Sequence, residues 1–138
     1  MDARDAQGAK DAGRVDRDMA KVMVVDDAQS DLRIIESILQ AAGHQVLSYA
    51  SGDQLEEKLA AEQPDVLLLD IVMPQRNGYE ILRSVKRDDR TRHTPVVLVT
   101  SKTQESDRIW GKRQGADEYL AKPFTSEQLL GVVKRFAR

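Results

Sequence analysis

Residues 65–80 read DVLLLDIVMPQRNGYE, and the run that ends at Asp70 decides the fold. Residues 66–69 (VLLL) are apolar at every position, so neither face of this segment is suited to water. That is the pattern of a strand covered on both sides. A second such run, VVLV, lies at 96–99, and strands are expected at 21–25, 45–49 and 118–121 as well. Helical spacing fills the intervals. Leu32, Ile35, Leu39 and Ala42 share one stripe, with Gly43 as its C-terminal stop. Ser51 is placed to cap a helix carrying Leu55 and Leu59. Residues 78–87 carry Leu82 and Val85, and a further helix runs from Thr103 to Gln114 and stops at Gly115. The last opens on a capping box, Thr125-x-x-Gln128, and is expected to bury Leu129, Val132, Val133 and Phe136.

Five strands alternating with five helices predict an α/β fold with a doubly wound parallel sheet and right-handed crossovers. The 138 residues suffice for one such domain and fall short of the eight units of a barrel. Residues 1–18 are mostly Ala, Gly, Asp and Arg, too poor in apolar surface to offset their ordering entropy. They are read as a flexible tail before a domain at 19–138.

Composition removes several classes of function. A net charge of −2, with 32% charged residues of both signs, offers no footprint for nucleic acid or an anionic membrane. The absence of cysteine excludes disulfides, thiolate metal sites and a cysteine nucleophile, and two distant histidines make a zinc site a poor fit. No apolar run is long enough to span a bilayer, so a cytoplasmic protein without membrane insertion is expected.

The polar residues at strand ends carry the chemistry. Asp26 and Asp27 follow the first strand, Asp70 ends the third, Thr100 the fourth, and Lys122 follows the fifth. Taken singly, each is more often a helix cap or a solvated turn residue. In a doubly wound sheet, however, ligands bind outside the carboxyl ends of the strands, and a strand order 2-1-3-4-5 turns all five residues toward one crevice. Carboxylates about 4 Å apart repel by roughly 4 kcal/mol per pair at an effective dielectric of 20. A cation relieves this, and donors that are all oxygen select a hard ion, Mg²⁺ or Mn²⁺. A phosphoryl group added there would need a further positive charge and a hydroxyl, which Lys122 and Thr100 supply.

The motifs VMVVDD (22–27), DVLLLDIVMPQRNGYE (65–80), PVVLVTSK (95–102) and GADEYLAKPF (115–124) resemble the receiver domain of bacterial two-component response regulators. The stretch DRIWGKRQGADEYLAKPF is similar to receivers of type IV pilus (twitching) chemosensory systems. The resemblance implies a flavodoxin-like (CheY-like) sheet of order 2-1-3-4-5. It implies Asp70 as phosphoacceptor for a histidine kinase, and Mg²⁺ held by Asp27, Asp70 and the Val72 carbonyl, with Asp26 acting mostly through water. It further implies Lys122 on the phosphoryl oxygens before a cis bond to Pro123, and Thr100 moving toward the phosphoryl group. Tyr119 would turn inward, Gly78 would permit a tight helix entry, and a protein target would be met by the fourth helix, fifth strand and fifth helix.

Three positions depart from the family pattern. Val72 and Lys102 stand where relatives often carry polar and acidic or amide residues, and Ser101 replaces a usual Ala. Val72 cannot orient a hydrolytic water, so a long-lived acyl phosphate is expected. Trp110, following Ile109 on the expected buried face, is either a core aromatic or an exposed anchor on the output surface. Three other functions compete with a signalling switch. A sink or relay that drains a kinase shares its chemistry. A phosphohydrolase of the haloacid dehalogenase type wants a second Asp where Val72 stands. A flavodoxin-type FMN carrier would be repelled by the acidic loop DDAQSD (26–31).

Overall fold

The computed structural model describes residues 19–74, 76–102 and 104–137; the tail proposed for 1–18 and the helix start at Thr103 lie outside them. Ten elements alternate along the described residues: β1 (Lys21–Val25), α1 (Gln29–Ala41), β2 (Gln45–Tyr49), α2 (Leu55–Glu62), β3 (Val66–Leu69), α3 (Gly78–Arg87), β4 (Val96–Thr100), α4 (Glu105–Arg113), β5 (Glu118–Ala121) and α5 (Ser126–Phe136). All pairings are parallel and the spatial order is β2-β1-β3-β4-β5, as expected.

Side-chain alternation divides the core in two. Val22, Val24, Leu68, Val97, Val99 and Leu120 face α1 and α5, whose Ile35, Leu39, Leu129 and Val133 are buried against them. Met23, Val25, Leu67, Leu69, Val96 and Leu98 face the opposite way, against Leu55 and Leu59 of α2 and Ile81, Leu82 and Val85 of α3. This is why β3 and β4 had to be apolar throughout. Val132 and Phe136 of α5 are only half-buried.

Local chemistry accounts for the helix ends. The predicted capping box opens α5, with the Gln128 amide donating to Thr125 Oγ1 at 3.0 Å and the Thr125 amide to Gln128 Oε1 at 2.9 Å. A second box, Asn77 with Glu80, opens α3. Ser51 does not cap α2. Its hydroxyl accepts the Asp53 amide at 3.3 Å in a local turn, and the helix begins only after Gln54, at a left-handed φ of 53°. A short polar side chain readily closes its own turn instead of capping a helix four residues on. Gly43 and Gly115 stop α1 and α4 at φ of 93° and 111°.

Gly78 makes the tight entry into α3 possible through close backbone approach. Its φ is not left-handed, but a Cβ there would sit 2.6 Å from the Ile71 Cα and against the Asp70 carbonyl oxygen. The Gly78 amide donates to the Ile71 carbonyl at 2.8 Å, so α3 starts in contact with the backbone that carries Asp70.

Candidate functional site: an acidic crevice at the carboxyl end of the sheet

Strand register brings the acidic residues together. Val25 pairs with Leu69, so Asp26 and Asp70 leave neighbouring strands at the same height. Asp26 and Asp70 are buried and Asp27 is exposed, and their carboxylates place oxygens within 4.8 Å of one another. The Asp26 Oδ1 also accepts the Ala28 amide at 2.9 Å, which fixes the turn into α1. Beside Asp70 a cavity of about 550 Å³ opens to solvent, with Asp27, Asp70 and Lys122 in its wall and Val72 and Phe124 on its apolar side.

Lys122 is delivered by β5. Its amide donates to the Thr100 carbonyl at 2.9 Å, and its bond to Pro123 is cis, as the resemblance implied. The ammonium lies 2.7 Å from Asp26 Oδ2, 2.7 Å from Asp31 Oδ2 and 3.9 Å from Asp70 Oδ2. Burial alone would lower the Lys122 pKa, but the hydrogen bonds to Asp26 and Asp31 and the charge of Asp70 raise it, so the group is a cation at any physiological pH. Asp70 is pushed up from the ordinary carboxylate range, first by burial and then by Asp26; Lys122 and the Val72 and Ile71 amides oppose the rise.

Thr100 is fully buried at the end of β4, beside the crevice, with its Oγ1 accepting the Lys102 amide at 3.3 Å. Tyr119 already occupies the inward position. Its ring packs in the core near Leu98, its hydroxyl donates to the Lys102 carbonyl, and the Arg108 guanidinium lies 5.1 Å above the ring. Gly111 in α4 makes this packing feasible, since a Cβ there would come within 2.8 Å of Leu98 Cδ1 and 3.4 Å of the Tyr119 ring.

One expectation fails here. Ile109 does not continue a buried face: it is 47% exposed and Trp110 46% exposed, because Gly111 is the residue that α4 turns inward. Trp110 is therefore not a core aromatic. It leans edge-on against Tyr79 of α3, with ring centres 6.4 Å apart, and so lies on the α3 side of α4. Asp31 is a site residue that the sequence does not single out from its acidic loop, although the first turn of a helix that follows a strand-end Asp pair is well placed to lean back over the strand ends.

The response regulator receiver domain family matches residues 22–134. The chain belongs to the receiver family. Receivers are phosphoacceptor switches of two-component systems rather than true enzymes, and they take their phosphoryl group from a histidine kinase. Among curated relatives, PilH of Pseudomonas aeruginosa is 43% identical over 115 residues, covering 83% of this receiver and 95% of PilH. PilG of the same organism is 36% identical over 117 residues, covering 85% and 87% of the two chains. Both bear out the resemblance to pilus-associated receivers. Among solved structures, the chemotaxis protein CheY4 of Vibrio cholerae superposes with a TM-score of 0.79 at 34% identity, over 86% of this chain and 98% of that one. The receiver domain of the sensor histidine kinase PA1611 from Pseudomonas aeruginosa, solved with a magnesium ion coordinated in its active-site cleft, gives 0.78 at 26% identity, over 86% and 97% of the chains. Among the described residues of this receiver, no helix is long and apolar enough to cross a membrane.

The acidic cluster fits a hard divalent cation. Its donors are all oxygen, one of its carboxylates is destabilised by burial and by a like-charged neighbour, and it adjoins an open cavity.

Proposed function

We propose that this receiver accepts a phosphoryl group on Asp70 and signals by binding a separate protein. The observation that carries the reading is the convergence of Asp26, Asp27 and Asp70 with one ammonium beside a single cavity that Asp27, Asp70 and Lys122 line. Asp27, Asp70 and the Val72 carbonyl would hold Mg²⁺, with Asp26 acting mostly through water. When bound, the ion supplies positive charge to phosphoryl oxygens in transfer. An Asp70 carboxylate oxygen attacks phosphorus as the bond to the donor's nitrogen or oxygen breaks, leaving a mixed anhydride. Hydrolysis returns the carboxylate and inorganic phosphate.

Lys122 needs only a short displacement to reach a phosphoryl oxygen on Asp70, and Thr100, one strand away, supplies the hydroxyl. Thr100 moving toward the phosphoryl group would alter the β4–α4 connection, where its Oγ1 accepts the Lys102 amide and Tyr119 holds the Lys102 carbonyl. That links the site to the α4–β5–α5 face. The exposed pair Ile109 and Trp110 favours a protein target over a sink without output, since large apolar side chains left in solvent are suited to an interface. The likeness to PilH and PilG makes a pilus chemosensory pathway the first to examine.

The test is incubation with Mg²⁺ and acetyl phosphate, followed by mass spectrometry. The wild type is expected to gain one phosphoryl group and Asp70→Ala none. Uptake by Asp70→Ala equal to that of wild type would refute the assignment.

A further inference from the structure

Lys122 is held by two carboxylates that differ in kind. Asp26 is buried, tied to the Ala28 amide, and one of the three residues grouped as a cation site. Asp31 stands outside that group, in the first turn of α1, with its side chain 36% exposed on the cavity wall. Both lie 2.7 Å from the ammonium, while Asp70 is 3.9 Å away. Charge drawn from Asp26 toward a cation leaves Asp31 as the main counter-ion of Lys122. A phosphoryl group arriving on Asp70 must then draw the ammonium off Asp31.

We propose that Asp31 is a positioning residue that parks Lys122 at the cavity rim and thereby sets how readily a phosphoryl group captures it. This role rests on the reading of Asp70 as phosphoacceptor. With Asp31 36% and Lys122 15% exposed, solvent and salt partly screen the pair, which suits a brake that tunes capture without preventing it. Asp31 touches neither Asp70 nor the reacting atoms; it acts through Lys122.

Phosphoryl uptake from acetyl phosphate, beryllofluoride affinity and exchange of the Lys122 ammonium protons, seen by nitrogen-15 NMR, test the role together. Asp31→Asn is expected to take up phosphoryl about two- to fivefold faster at low salt, the range of a weak ion pair. It should bind beryllofluoride more tightly by a similar factor and exchange its Lys122 protons faster. In a Lys122→Gln background the same substitution should change uptake no further. Persistence of the acceleration there would mean that Asp31 simply repels the incoming anion, and would overturn the proposal. Unchanged ammonium exchange in Asp31→Asn would also overturn it, and needs no folded Lys122 variant. A wild type that takes up no phosphoryl group would bring down the phosphoacceptor reading and this role together. A normal wild type with an indifferent Asp31→Asn would bring down this role alone.

Discussion

The two ends of the same parallel sheet treat charge in opposite ways. At the amino end, carboxylates are used up by the backbone. Asp65 Oδ2 accepts the Lys21 amide at 2.9 Å and Asp117 Oδ2 the Val96 amide at 2.8 Å, so each acid serves the leading N–H of a neighbouring strand. Lysines close the same end, Lys21 on Glu62 at 2.9 Å and Lys86 on Asp117 at 3.1 Å. Even the buried His44 is an acceptor there, its Nδ1 taking the Ala20 amide at 2.9 Å. At the carboxyl end, Asp26, Asp31 and Asp70 crowd around Lys122, the one ammonium in the cavity wall among the described residues, and Asp27 adds a further carboxylate beside Asp26 and Asp70. Charge at the amino end stabilises the fold. Charge at the carboxyl end is left in surplus, and a surplus of buried negative charge is a demand for a ligand.

The sharpest way to break this contrast is to add the missing cation. Magnesium at one hundred times its dissociation constant should raise the free energy of unfolding by about 2.7 kcal/mol. Thermal melts with and without the ion should show that gain in wild type and in Asp117→Ala, and little of it in Asp27→Asn.

Single substitutions should then differ in sign between the ends. Asp117→Ala leaves the Val96 amide without its acceptor and should destabilise by about 1–3 kcal/mol in denaturant titration. Asp70→Asn, measured without metal near neutral pH, should stabilise, because the native state raises the pKa of Asp70 and so disfavours its charge. Destabilisation at both ends would show that the crevice is as well paired as the opposite edge.

Val72 refines the functional side of the contrast. It is 56% exposed and apolar at the cavity wall, so it offers no hydrogen bond to an attacking water. Val72→Asn is expected to shorten the life of the phosphorylated form severalfold, followed by loss of phosphoryl mass after donor removal. An equal or longer lifetime in the variant would remove Val72 from the account.

The smallest effect expected is that of pH on the amino end. Burial lowers the His44 pKa from its usual 6.5. Its contribution to stability is therefore complete above pH 6.5 and declines as pH falls below that value toward the folded pKa, where protonation would cost the bond from the Ala20 amide. Replacing His44 with Asn should flatten the slope of stability between pH 7 and 5 (roughly the imidazole range).

Much of the fold was legible because burial on both faces leaves no choice of residue. The runs at 66–69 and 96–99 announce central parallel strands, and the chemistry at their ends follows from strand termination. Thr125 and Gln128 marked α5 because a capping box is a local bond. Other readings failed where a local pattern has two outcomes. Ser51 closes its own turn, and Ile109 with Trp110 continues a helical stripe that the helix then rotates into solvent around Gly111.

The order of residues along the chain thus determined the α/β alternation, the two-faced core and the candidates Asp26, Asp27, Asp70, Thr100 and Lys122, since each depends on spacing within one strand or its end. Tertiary structure alone decided that Asp31 holds Lys122, that the tight entry at Gly78 is made against the backbone of Asp70 and Ile71, and that Trp110 leans toward α3. These features depend on distances between segments far apart in the chain, here α1 against β5 and α3 against β3. Packing sets those distances only after the whole sheet has closed.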